Sequence, residues 1–337
     1  MSPRHRARRR RHRPLRTGLF TLVAAVAAAF ALTLGTGGGQ LVARPSATAP
    51  APAVGTGSPS ATAAAPPEAS TRAARTVGQA VADAGADAEG AVAVSVLDLG
   101  SGVTADSELP GPDATGGAAD GSAPAADAEG GATGGGHAFI TASIVKADIL
   151  AALLRQSGTA LGAAQRAQAE AMIEQSDNDA AGELYEAIGG ADGLDEANRA
   201  FGLTGTTAGR DGYWGLTTTT TEDQLRLLRV IFTDESPLDA DDRAYLQDLM
   251  GLIAQDQAWG VSAAAGPDGT AKLKNGWLSR SADGLWAVNS IGLVTRDGHD
   301  LLVAVLSDGN STEESGISLV ESVAVAAVEA LVGGGTD

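Results

Sequence analysis

The chain has 337 residues, no cysteine, 23 Lys+Arg and 41 Asp+Glu, giving a formal net charge of −18. Nine of the basic residues and none of the acidic ones fall in the first 44 positions, so the remainder sets 14 basic residues against 41 acidic ones, a balance of −27. Such a surface repels nucleic acid and anionic polymers, and the lack of cysteine excludes disulfides, thiol chemistry and a lipid-modified N-terminal cysteine.

Residues 2–16 hold eight Arg and no acid, and an uncharged apolar run over 19–34 follows. Together they read as a secretory signal or single membrane anchor that keeps the Arg-rich end in the cytoplasm and exports the rest. The run is short for a spanning helix, and cleavage and anchoring both stay open for 1–43. A nucleic-acid reading of the Arg cluster conflicts with the apolar run directly behind it. Residues 44–70 are rich in Ala, Pro, Ser and Thr and read as a flexible linker. One ordered domain is left over 71–337. Within it, the Gly-, Ala- and Asp-rich stretch 111–136 has too few apolar side chains to order itself and reads as a disordered insertion.

The domain opens with Ala and Val at helical spacing over 75–83 and a strand over 91–97, which ends in the turn Gly100-Ser101-Gly102. From Ser143 a helix is predicted, with Ile144, Val145, Ile149, Leu150, Leu153 and Leu154 on its apolar face. Further helices are expected over 163–188, 221–233 and 239–255, with Thr221 capping the second of these. The period then changes to two. Strands are predicted over 272–278, 285–294 and 301–307, joined by the turns Ala282-Asp283-Gly284 and Arg296-Asp297-Gly298, and a last helix covers 317–331. Strands at both ends with helices between them predict an α+β domain. It would hold one antiparallel sheet assembled from both chain ends, flanked by helices, plus an all-helical lobe.

Only three lysines occur among the 23 basic residues, and two of them stand in short motifs, Ser143-Ile144-Val145-Lys146 and Lys274-Asn275-Gly276. Where any cation serves, this chain uses Arg; a retained lysine points to an amine that must give up or share a proton, which Arg cannot do. Ser143 and Lys146 share one side of a helical turn, within hydrogen-bond reach. A serine becomes a nucleophile when a neighbouring base takes its proton. Burial, and a second cation such as Lys274 across a cleft, would lower the Lys146 pKa enough for that work. The helix start would also aim the Ser143 N–H at a reacting carbonyl. Ser176-Asp177-Asn178 taken alone is a polar helix entry. Gly276, lacking a Cβ, would let a substrate backbone approach the strand edge.

In this order the three motifs resemble the S-x-x-K, S-D-N and K-T-G set of penicillin-recognising serine enzymes. The string Met172-Ile173-Glu174-Gln175-Ser176-Asp177-Asn178-Asp179-Ala180-Ala181, followed by Gly189-Gly190, resembles the matching loop and helix of class A β-lactamases and their relatives. The resemblance runs from about residue 75 to the C-terminus and implies a β-lactamase/transpeptidase-like fold. It also implies an exported serine acyl hydrolase that acts on β-lactam or related amide substrates through a Ser143 acyl-enzyme, as a monomer without cofactor or metal. Lys146 would then be the base, Ser176 the proton shuttle to the leaving nitrogen and Asp177 structural. Asn178, Lys274, Asn275 and Gly276 would hold the substrate, with the Trp277 N–H completing the oxyanion hole. A DD-peptidase-like or slowly deacylating penicillin-binding enzyme, and a non-catalytic wall-facing binding protein, are the alternatives.

Three departures bear on activity. Asn275 replaces the usual hydroxyl residue, leaving one amide to meet a substrate carboxylate. The stretch 209–216, where class A enzymes carry the water-activating glutamate, contains no Glu, and Asp211 is its only carboxylate. The segment between Ser143 and Ser176 is shorter than in that family, so the helical lobe should be trimmed. Past the N-terminal segment the only histidines are His137 and His299, too few for a Ser-His-Asp triad or a metal site. Trp214, Trp259, Trp277 and Trp286 are expected in core or cleft-wall packing.

Overall fold

The computed structural model describes residues 67–111, 137–157 and 161–334. The signal or anchor segment, the linker up to residue 66 and the insertion beyond Gly111 lie outside the described residues. In chain order the elements are α1 (Pro67–Ala84), β1 (Ala91–Asp98), β2 (Thr104–Leu109), β3 (Phe139–Ile140), α2 (Val145–Ser157), α3 (Ala163–Glu174), α4 (Asn178–Ala187), α5 (Gly190–Phe201), β4 (Thr218–Thr219), α6 (Thr221–Phe232), α7 (Ala240–Met250), β5 (Ala271–Ser279), β6 (Trp286–Arg296), β7 (His299–Asn310) and α8 (Glu313–Gly333). Short 3-10 turns lie at Ala142–Ile144, Trp214–Leu216 and Gly260–Ala264.

Five strands form one antiparallel sheet in the order β2-β1-β7-β6-β5, so strands from both chain ends meet at the β1–β7 seam, with Val94 opposite Val305. β1 is buried along its whole length, and strand alternation splits its side chains between two cores. Val92, Val94 and Val96 join Val303 and Val305 under α1 and α8. Ala93 and Leu97 join Leu302, Ala304 and Leu306 against the helical lobe. α8 is long and apolar enough to cross a membrane by length and composition, yet its Val320, Val323, Ala324, Ala327 and Val328 are buried against the sheet. The lobe of α2 to α7 is centred on α2, whose first ten residues are all buried. A helix buried on every side is a core helix, and in α2 this burial takes in Lys146 and Asp148 as well.

The structure differs from the sequence reading at several boundaries. α1 begins at Pro67, four residues inside the stretch read as linker. β2 is an unpredicted strand, because Thr-Ala-Asp-Ser-Glu-Leu buries only Ala105 and so lacks a two-residue apolar period. The helix expected over 163–188 breaks at Ser176, whose φ of 54° is left-handed. The unpredicted α5 buries Leu194, Ala197, Asn198 and Phe201 on one stripe. Thr220, not Thr221, caps α6, accepting from Asp223 N at 3.2 Å, because Thr218 and Thr219 are taken up in pairing with β3.

Candidate active site

β5 is an edge strand, and its outer side meets the 3-10 turn that carries Ser143. The approach to Ser143 is held from two directions. Thr141 N donates to Thr217 O at 2.8 Å. Asn289 Nδ2, reaching from β6, donates to Ile140 O at 2.9 Å and Thr141 O at 3.1 Å, while its Oδ1 accepts from Ser307 N at 3.2 Å. The next residue, Ala142, has φ 47°, a left-handed conformation costing a residue with a Cβ roughly 1–3 kcal/mol. This kink starts the helix with Ser143 half-buried. Gly276 stands opposite: a Cβ there would lie 2.6 Å from the N atoms of both Ser143 and Ile144. Its missing side chain therefore makes room for the helix start.

Asn289→Ala is expected to strip the amide partners from Ile140 O and the buried Ser307 N, while Thr141 O keeps the 3.3 Å bond from Ile144 N. Each such group costs about 1–3 kcal/mol. We expect a loss of about 2–4 kcal/mol in a urea unfolding curve and slower acylation by any serine-directed probe. Unchanged stability would mean that the clamp is not needed.

Beyond the helix start, two lysines converge on one hydroxyl. Lys146 Nζ donates to Ser176 O at 2.7 Å, Ser176 Oγ at 3.1 Å and Asn178 Oδ1 at 2.8 Å. Lys274 Nζ donates to the same Ser176 Oγ at 3.1 Å and to Asn275 O at 2.9 Å. The three acceptors of Lys146 account for all the protons of an ammonium. Ser143 Oγ is not among them, so the expected Ser143–Lys146 hydrogen bond is replaced by bonds across the cleft to the loop before α4. Asp177 caps that helix, its Oδ1 accepting from Ala180 N at 2.8 Å. Asn178 is exposed and, with Oδ1 engaged, leaves its amide protons to the cleft.

Both amines are fully buried by side-chain exposure. Burial lowers the Lys146 pKa to about 8, against a raising influence from Asp177. Burial, followed by the like charge of Lys146, lowers that of Lys274 to about 7. Both amines are therefore shifted downward toward neutrality, and the shift comes from burial, which is a tertiary property.

Asn275 also departs from expectation. Its Nδ2 donates to Gln257 O at 2.7 Å and Trp259 O at 3.1 Å, and its buried Oδ1 has no partner. Both amide protons tie β5 to the loop before residue 260, so neither meets a substrate carboxylate. The Trp277 ring packs edge-on against Trp259 at 5.7 Å. Its backbone lies on the sheet edge, where alternate N–H groups have no strand partner. Trp286 is partly buried against the α8 core. Trp214, in the stretch without glutamate, places its ring over Lys146 Nζ, 4.8 Å from the centroid, while Asp211 is exposed. His137 and His299 pair with Asp308 at 2.7 Å and Asp98 at 3.1 Å. Among the described residues no group of three or more His, Asp or Glu could hold a metal ion.

Sequence reasoning missed Asn289, Ala142 and the placement of Trp214. An asparagine inside the apolar run of β6 is the one signal that was available, since a buried amide demands partners.

A sequence profile of the Beta-lactamase enzyme family matches residues 164–331, a span that includes the second and third motifs and begins after Lys146. No curated protein sequence matches the chain. Solved structures do. A class A β-lactamase from Bacteroides cellulosilyticus superposes with a TM-score of 0.60 at 16% identity, over 77% of this chain and 98% of its own. A mutant of PBP-A, solved as an acyl-enzyme complex with penicillin G, gives 0.59 at 19% identity, over 77% and 97%. A β-lactamase from Xanthomonas campestris pv. campestris gives 0.59 at 19%, over 75% and 97%. At these identities the likeness is one of fold, and it takes in nearly the whole of each relative. Residues 164–331 thus match the profile of the Beta-lactamase enzyme family, and the chain shares the fold of class A β-lactamases and PBP-A.

Proposed function

We propose that the protein is an exported serine acyl hydrolase that opens β-lactam or related amide carbonyls through an acyl-enzyme on Ser143. The observation that carries this reading is the convergence of two buried lysines on Ser176 Oγ, 3.1 Å from each amine. In the proposed reaction Ser143 Oγ attacks the carbonyl carbon while its proton passes to the neutral amine of Lys146. The oxyanion is held by the Ser143 N–H at the helix start, joined by the Trp277 N–H from the β5 edge. The C–N bond breaks as Ser176 Oγ hands a proton to the leaving nitrogen, and Lys274 or Lys146 restores that proton. Asn178 offers its amide protons to the substrate. The titration of an amine within hydrogen-bond reach of a relay hydroxyl is what general acid–base work near neutrality needs.

The relative solved with penicillin G bound as an acyl-enzyme supports penicillin as the first substrate to test. Lack of a carboxylate beside Lys146 from the stretch 209–216 favours slow release of the acyl group, as in the penicillin-binding reading. Export rests on the Arg-rich start and the apolar run over 19–34; a reporter fused after residue 44 that stays in the cytoplasm would refute it.

The test is intact mass after mixing with penicillin G across a pH series. Acylation needs Lys146 neutral, and its lowered pKa of about 8 means that the neutral fraction grows roughly tenfold per pH unit below that value. The rate of adduct formation is therefore expected to climb between pH 6 and 8 and then level off. No adduct at any pH would leave a binding protein that has lost its chemistry.

A further inference from the structure

The segment from Gly209 to Thr217 crosses the outer side of Lys146, and it is fastened rather than loose. Tyr185 Oη donates to Gly209 O at 2.6 Å, and Arg210 pairs with Asp192 and Asp195 at 2.7 Å each. Gly209 N donates to Thr217 Oγ1 at 3.1 Å, which in turn donates to Trp214 O at 2.7 Å. Between these ties, Asp211 and Gly212 at φ 55° and 78° turn the chain back. The turn leaves Tyr213 65% and Leu216 46% exposed while the indole between them faces inward onto the amine.

At 4.8 Å from nitrogen to ring centroid nothing fits between them. A bridging water would need roughly 6 Å, about 2.9 Å for its hydrogen bond and about 3.5 Å to the ring carbons. In the protonated amine the three N–H directions are filled by Ser176 O, Ser176 Oγ and Asn178 Oδ1. When the amine is neutral one of these directions becomes a lone pair, and the indole closes the approach of water from the side of the 209–217 segment.

We propose that Trp214 is a fixed aromatic plug that keeps hydrolytic water from Lys146 and so prolongs the life of the acyl group on Ser143. The inference rests on the acyl-enzyme reading above. Hydrolysis needs a water whose proton goes to the neutral Nζ while its oxygen bonds the acyl carbon. The bond from that carbon to Ser143 Oγ then breaks, Oγ takes the proton back from Lys146, and the product leaves as a carboxylic acid. With the indole in place the first of these partners is missing. A plug differs from a lid here, because the ties at Gly209, Arg210 and Thr217 hold Trp214 in the resting protein.

The experiment compares the full chain with its Trp214→Phe and Trp214→Ala variants after acylation by penicillin G, following loss of the adduct by intact mass. Trp214→Ala is expected to shed the acyl group roughly 10- to 100-fold faster, with release rising as pH rises through the titration of Lys146. Trp214→Phe, which keeps a ring, should stay within about threefold of the parent. An adduct that lasts as long in the Ala variant overturns the plug. Access to the amine is read separately by trinitrobenzenesulfonate. With three lysines in the chain, modification of Lys146 is resolved by peptide mass, and it should be roughly tenfold faster in the Ala variant. Equal Lys146 reactivity would sink the plug even if the parent never acylates. Faster Lys146 modification without any adduct would instead sink only the acyl-enzyme reading. Should the Ala variant not fold, Trp214→Val in the same two assays decides.

Discussion

Replacing Ser143 by alanine is expected to abolish covalent labelling by a fluorescent penicillin or a fluorophosphonate while leaving the fold intact. The two halves of this expectation have separate grounds. Ser143 is half-buried at the mouth of the cleft, and its hydroxyl is not part of the hydrogen-bonded cluster of Lys146, Ser176, Asn178 and Lys274. Removing one such oxygen should change stability by no more than about 0.5 kcal/mol. Its backbone position, in contrast, is over-determined by the Asn289 clamp, the left-handed Ala142 and the close approach of Gly276. Strain held in place by surrounding structure is a mark of a residue whose location matters. Labelling and a melting curve on the same sample check both halves. Persistent labelling would move the nucleophile elsewhere, and Ser176, already beside two amines, would be the first position to examine.

Much of this architecture can be read from the chain because its apolar residues keep strict periods. β1 and β7 alternate Val, Ala and Leu between two cores, and α2 carries its Ile149, Leu150, Leu153 and Leu154 on one apolar face. β2 escaped because an edge strand with one buried residue carries no such period. The site divides in the same way. Ser143, Lys146, Ser176, Asn178 and Lys274 were found by motif and order, and the structure brings Lys146, Ser176, Asn178 and Lys274 into one hydrogen-bonded cluster. What the motifs could not give is orientation. Asn275 looks like a substrate-facing amide until β5 turns it toward Gln257 and Trp259. Asn289 bonds a carbonyl 148 residues away, and no local pattern announces such a partner. The burial of the two lysines is hidden for a related reason, since both motifs look exposed in sequence and only packing shows that both amines lie out of water.

Two buried amines on one hydroxyl make the two arginine variants informative. On the proposed mechanism Lys146 takes the Ser143 proton, so Lys146→Arg is expected to lose acylation as fully as Lys146→Ala. A guanidinium cannot accept the proton at any accessible pH, and loss of a general base typically costs a factor of roughly 100 to 10,000. Lys274 is assigned to hold positive charge beside Ser176, which Arg can still do, so Lys274→Arg should keep part of the rate. It should also move the pH profile in a defined direction. The amine of Lys274, with a pKa of about 7, is largely neutral by pH 8, whereas an arginine there stays cationic. A permanent like charge disfavours the protonated form of Lys146 and lowers its pKa further. The rising limb of acylation should therefore shift to lower pH in Lys274→Arg, even as the maximum falls. Melting curves of both variants guard against simple misfolding, since each places a larger group in a buried slot. If the two arginine variants lose acylation equally while still folded, the division fails, and Lys274 becomes the other candidate for the base.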